Sequence, residues 1–145
     1  MRLRLTSGVH EQIREHGARG YPDEVCGALL GRESTGNGSG ALREVSAVLA
    51  LENRREDSRG NRFAVTPGDV LRAERAAAEQ GLELVGWYHT HPDHPARPSE
   101  FDREHAWPWY SYVILGVAAR VPGEMTSWRL ADDRSAYAAE SIEVG

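Results

Sequence analysis

The chain has 145 residues, 40% of them apolar and 27% charged, with a formal net charge of −5. A chain of this length buries roughly 70% of its unfolded surface as one domain, 1–145, and its acidic balance gives no support to a phosphate-tracking nucleic-acid surface. The start, Met1-Arg2-Leu3-Arg4-Leu5, is charged and lacks the apolar core of a signal segment. No apolar run approaches the roughly 18 residues of a membrane span, so a cytoplasmic protein with protein or small-molecule partners is expected. Cys26 is the sole cysteine, which excludes an internal disulfide and a zinc site of paired thiolates. A metal must be held by His and carboxylate.

Thr6 or Ser7 is placed to cap a first helix with Val9 and Ile13 inward, ended by Gly17 and Gly20 before Tyr21-Pro22. His16 continues that stripe as a core-edge residue. Residues 25–31 form a nearly continuous apolar run around Gly27, the pattern of a strand covered on both faces, with Cys26 as a small buried side chain. The glycine-rich run 36–40 has no Walker lysine and is expected to be a hairpin tip leading into a strand over 42–51. Residues 53–62 are polar and read as a solvated loop.

Thr66-Pro67-Gly68-Asp69 combines an N-cap, a first-turn proline and an acidic residue three on. It opens a helix with Val70, Leu71, Ala73, Ala77 and Ala78 inward, closed by Gly81. A strand over 82–88 follows, then a loop with prolines at 92, 95 and 98 and a short helix over 99–106. Residues 110–117 and 125–130 read as strands with Pro122-Gly123 turning between them, and 141–144 as an edge strand. The layout is α/β, a single mixed sheet flanked by helices.

The chemistry concentrates between Gly86 and Asp102. His89 and His91 stand at the end of an apolar strand, two apart and on one face of the pleat, so two imidazoles converge on one point. Ser99 and Asp102 are spaced i, i+3 on one side of a starting helix, and Asp102 can return to the histidines. Taken singly these features are ordinary: paired histidines occur in loops, and Ser-Glu-Phe-Asp is a capping box. Their coincidence points to a three-ligand metal site with an open position, the form zinc takes when it activates water for hydrolysis. His94 is the rival third ligand, within the proline-rich loop, while His10 and His105 are surface or packing residues. Hydrolysis also needs a base, and Glu24, Glu100 and Glu104 are all candidates.

Glu24, then His89-x-His91, seven residues, Ser99, two residues and Asp102 resembles the signature of the JAMM (MPN-plus) metalloprotease family. Residues 22–31, Pro-Asp-Glu-Val-Cys-Gly-Ala-Leu-Leu-Gly, are similar to the family's first-strand motif, and Asn53, Phe63 and Val85-Gly86 fall where bacterial members have like residues. The resemblance implies that His89, His91 and Asp102 bind one Zn2+, that Glu24 is general base and acid, and that Ser99 hydrogen-bonds the oxyanion. It implies a fold similar to cytidine deaminases, whose own Pro-Cys-x-x-Cys ligands are missing here. Thr90 stands where a serine is common; its side chain points away from the ligands, and little consequence is expected.

The likeness is to small bacterial members that remove the Gly-Gly tail of ubiquitin-like sulfur-carrier proteins from an attached group. The substrate class rests on that resemblance alone. Two alternatives are a non-catalytic MPN scaffold, which would normally have lost a ligand, and a RadC-like DNA-repair-associated protein, against which the acidic charge speaks. Trp107-Pro108-Trp109-Tyr110 is either core or a platform for an extended tail.

Overall fold

The computed structural model describes residues 1–34, 42–51 and 65–145. The expected hairpin tip at 36–40, the loop at 53–62 and the positions Asn53 and Phe63 lie outside the described residues. The elements run β1 (Arg2–Leu5), α1 (Ser7–Gly20), β2 (Cys26–Ser34), β3 (Leu42–Leu51), α2 (Pro67–Glu79), β4 (Glu83–Pro92), α3 (Glu100–His105), β5 (Ser111–Ala118), β6 (Val121–Leu130) and β7 (Tyr137–Val144). No helix among the described residues is long and apolar enough to cross a membrane.

The strands close into a ring in the order β1-β3-β2-β4-β5-β6-β7. The mixed pairing expected from the sequence is present, parallel at β1–β3, β1–β7 and β4–β5 and antiparallel elsewhere. The expected edge strand is not an edge. β7 is longer than 141–144: its first half pairs with β6, and Ser141 to Val144 pair with Arg2 to Leu5. Closure satisfies the backbone groups that an edge would leave open. The structure adds a strand to the expected set, β1, in which the fully buried Leu3 and Leu5 alternate with half-exposed arginines, a period-two pattern.

Both faces of the central strands are covered. On β2, Leu29 packs with Val9 and Ile13 of α1, whereas Ala28 and Leu30 pack with Ala73 and Ala77 of α2. Fully burying an aliphatic side chain such as Ile13 contributes about 1.5 to 3 kcal/mol, so these two clusters hold the helices in place. Thr6 caps α1, its hydroxyl accepting from Val9 N at 3.2 Å. Gly17 does not end α1 but lies inside it, where a Cβ would come within 3.0 Å of Thr90 Cγ2 and Leu115 Cδ2. Thr66 and Asp69 form the expected reciprocal box at 3.0 and 3.1 Å. Leu71 and Ala78, expected inward, face out; Leu71 is 50% exposed, because the buried stripe of α2 is the narrower set Asp69, Ala73 and Ala77.

The β5–β6 turn is Ala119-Arg120, not Pro122-Gly123. Both turn residues have positive φ, 50° and 67°, the backbone that matches a tight hairpin to the twist of its strands. Pro122 lies within β6, where β7 does not pair and a missing N–H costs no ladder bond on that side.

The strand that carries His89 and His91 is β4, flanked by β2 antiparallel and β5 parallel. Its end carries His89, Thr90, His91 and Pro92 inside the strand rather than after it.

Candidate metal centre

The pleat of β4 puts His89 and His91 on one face and Thr90 on the other. Opposite them Ser99 caps α3, and Asp102 occupies the third helical position. His89 Nε2 and His91 Nε2 are 3.3 Å apart, and Asp102 Oδ2 lies 3.1 Å from His91 Nε2 and 3.3 Å from His89 Nε2. The three donor atoms form a nearly equilateral triangle. A tetrahedral ion with bonds of about 2.0 to 2.1 Å has its ligand atoms about 3.3 Å apart, so the side chains fit zinc without rearrangement. Among the described residues this is the one group of three that could hold a metal ion; His94 is not in it and is exposed.

The tautomer of one histidine is fixed by its surroundings. His91 Nδ1 donates to the Pro95 carbonyl at 2.9 Å, which leaves Nε2 with its lone pair toward the triangle. Pro95 thus contributes through its backbone, a role that no side-chain motif reveals. Burial pulls the His91 pKa down, but the Asp102 carboxylate and the Pro95 carbonyl outweigh it and the net shift is upward. Burial likewise pushes the Asp102 carboxyl up, yet the two imidazoles and the Ser99 N–H hold it far below the usual carboxylate range. The acid therefore stays anionic, as a ligand must.

Glu24 is brought to the site by strand register. Cys26 pairs with His89 across β2 and β4, and Thr90 N donates to the Val25 carbonyl at 3.0 Å, so continuation of the pairing sets Glu24 opposite His91. Glu24 is 2% exposed, and burial, followed by the nearby Asp102 charge, raises its pKa to about 9. A cavity of about 340 Å³ opens beside the triangle, and Glu24, His91, His94, Arg97 and Ser99 line it. Glu100 and Glu104, the rival bases, are exposed; Glu100 is paired with Arg103 on the outer side of α3. Trp107 and Trp109 are 60% and 49% exposed, hence not core, and line a separate groove with Val70 and Trp87.

A helix-flanked ring of seven strands, with a His-x-His strand facing a helix-borne aspartate, defines an α/β protein with a centre suited to one divalent metal. Residues 6–131 match the family described as prokaryotic homologs of the JAB domain, and the chain belongs to that family. It is 31% identical over 125 residues to a desampylase of Haloferax volcanii, covering 83% of this chain and 84% of the relative. It is 34% identical over 115 residues to a probable TtuB-protein conjugate cleaving protease of Thermus thermophilus, covering 79% and 70%. The solution structure of a Salinibacter ruber protein aligns over 98% of this chain and 91% of its own, with a TM-score of 0.74 and 44% identity.

Proposed function

We propose that the chain is a single-domain zinc isopeptidase that hydrolyses the bond after the C-terminal Gly-Gly of a ubiquitin-like carrier protein. The observation that carries this reading is that Glu24 and Ser99 line a cavity that His91 also lines. Both relatives are named for the removal of something attached, and the second is named for cleaving protein conjugates, which supports a bond between two proteins as the target.

His89, His91 and Asp102 would hold the ion. Zinc in a three-ligand site supplies Lewis acidity, lowering the pKa of water toward neutral and polarising a carbonyl oxygen. Glu24 takes the proton of the attacking water at its carboxylate and delivers it to the departing amine. Its burial favours the protonated form between those transfers, and the charge of a cation works against that rise, so the carboxyl group is poised to act in both directions. Ser99 Oγ accepts from Asp102 N at 3.0 Å, which leaves the hydroxyl hydrogen to donate to the oxygen that becomes negative as the peptide carbon turns tetrahedral.

The test is Glu24→Gln on a Gly-Gly-linked substrate. Zinc content stays normal, the tail still binds, and turnover falls roughly 100-fold to 10,000-fold. Cleavage at the parent rate by this variant, with loss in Glu100→Gln or Glu104→Gln instead, would put the base on α3.

A further inference from the structure

Thr90 lies between the two histidines yet faces away from them. Its Oγ1 accepts the Val25 N–H at 2.9 Å, and its own N–H donates to the Val25 carbonyl at 3.0 Å, so one residue holds both backbone groups of the residue after Glu24. Thr90 is 1% exposed and Val25 9%, so water does not compete for these bonds. A second clasp lies on the other side of Glu24. Tyr21 OH donates to the Asp93 carboxylate, 2.9 Å from Oδ1 and 2.8 Å from Oδ2, joining the segment before Glu24 to the residue two beyond His91. The segment that carries Glu24 is thus tied at both ends to the stretch that carries the histidines.

We propose that Thr90 and Tyr21 are positioning residues for Glu24, with Thr90 acting through its hydroxyl and Tyr21 through its phenol. Neither side chain faces the metal centre. β2 begins only at Cys26, so Glu24 and Val25 precede the regular ladder, and the Thr90 hydroxyl and the Tyr21 phenol add side-chain bonds to the one backbone bond, Thr90 N–H to the Val25 carbonyl, that carries the pairing past Cys26. A base displaced by about 1 Å can cost on the order of 100-fold in rate, whereas ligands carried on a continuous strand and on α3 do not move with it. The two functions of the Thr90 side chain can be separated: Oγ1 serves Val25, while Cγ2 packs toward Gly17 of α1. The proposal rests on Glu24 acting as the base.

The experiment compares Thr90→Val, Thr90→Ser and Tyr21→Phe with the parent. Zinc content, kcat and KM are measured on a Gly-Gly-linked substrate, and amide hydrogen exchange is measured at Val25. Valine keeps the shape of threonine and removes the acceptor; serine keeps the acceptor and removes the methyl. Thr90→Val is expected to retain zinc and the parent KM, to lose at least about 10-fold in kcat, and to exchange the Val25 amide at least about 10-fold faster while Tyr88 and His89 amides keep their protection. Thr90→Ser restores kcat to within about 3-fold, and Tyr21→Phe, which keeps the half-buried ring packed on the core and removes only the hydroxyl, lowers kcat by about 3-fold with zinc unchanged. Parent kcat in both Thr90→Val and Tyr21→Phe overturns the proposal. So does a kcat loss that Thr90→Ser shares equally, which would assign the effect to methyl packing. Exchange at Val25 is read on any folded preparation, active or not, and an unchanged rate in Thr90→Val also overturns it. Parent-level turnover by Glu24→Gln, by contrast, is the failure of the proposed function.

Discussion

Ser99 and Asp102 hold each other, and the same oxygen that closes their box completes the donor triangle. Asp102 N donates to Ser99 Oγ at 3.0 Å, and Ser99 N donates to Asp102 Oδ2 at 2.9 Å, the atom that lies 3.1 Å from His91 Nε2. The helix cap and the metal-ligand geometry are therefore one device. α3 is only six residues long and gains little from its own ladder, so its start is fixed mainly by this box and by tertiary contacts such as Tyr137 OH donating to the Asp102 carbonyl at 3.1 Å.

Asp102→Asn separates the two roles. An amide oxygen can still accept the Ser99 N–H, so the start of α3 and the fold survive, but the anionic member of a three-ligand set is gone. The parent is expected to keep about one zinc per chain after dialysis and the variant to lose most of it while remaining folded. Full zinc retention would transfer the third ligand to His94, which lines the same cavity.

Ser99→Ala should damage both stability and rate. Loss of the cap costs about 1 kcal/mol, and loss of a donor to the developing oxyanion costs roughly 100-fold in turnover. Melting and kinetics measured on one preparation decide it. A destabilised protein with parent turnover would leave Ser99 as a cap only.

Glu24 gives the metal-free protein a pH signature. Its folded pKa of about 9 lies above the ordinary value of 4.5, chiefly through burial and then through the Asp102 charge, so the folded chain binds this proton more tightly than the unfolded one. The stability it contributes is fully present below about pH 4.5 and is lost progressively as pH rises toward and through about 9. Metal-stripped parent should melt at a lower temperature at pH 9 than at pH 6, and Glu24→Gln should melt higher than the parent at pH 9. Saturating zinc should flatten the parent's slope, since a neighbouring cation favours the carboxylate. Identical pH dependence in parent and variant would mean that Glu24 is not the group responsible.

Local rules carried much of this architecture. The Thr66 box, the bounds of β3 and the facing of His89 and His91 depend on capping and on pleat alternation within a few residues, and they stand as expected. What depends on remote pairing was not legible. Arg2 and Glu143 meet at 3.3 Å across 141 positions, and no local pattern announces that β1 and β7 will close a ring. Ala119 and Arg120 adopt positive φ because the flanking strands demand that turn, while the nearby Pro-Gly offered a conventional signal at the wrong place. Glu24 was singled out through a family resemblance; its proximity to the site is delivered by the pairing of Cys26 with His89, 63 positions apart. The same pleat that turns Thr90 away from His89 and His91 aims its hydroxyl at the Val25 N–H, a contact set by the remote pairing of β2 with β4.

Gly27 tests whether that pairing tolerates any bulk. A Cβ there would lie 2.2 Å from Tyr88 Cε2 and 2.4 Å from Cζ, distances at which one side must move. Tyr88 has little freedom to do so: it is 1% exposed and its hydroxyl is 2.7 Å from His16 Nδ1. Gly27 pairs with Tyr88 one step from the Cys26 and His89 pair, so the strain falls beside His89. Gly27→Ala is therefore expected to cost about 1 to 3 kcal/mol through overpacking. At about 3 °C per kcal/mol for a chain of this size, that is a fall of roughly 3 to 9 °C in melting temperature. Gly8 supplies the control, because it stands in the first turn of α1 with nothing within 4 Å of a Cβ. Gly8→Ala should leave the melting temperature unchanged or raise it by up to about 3 °C, the helix-propensity gain of up to about 1 kcal/mol. Thermal melts of the two variants beside the parent decide the matter. Equal stability of Gly27→Ala and the parent would mean that β2 and β4 can separate there, and that the placement of Glu24 opposite His91 is looser than the register implies.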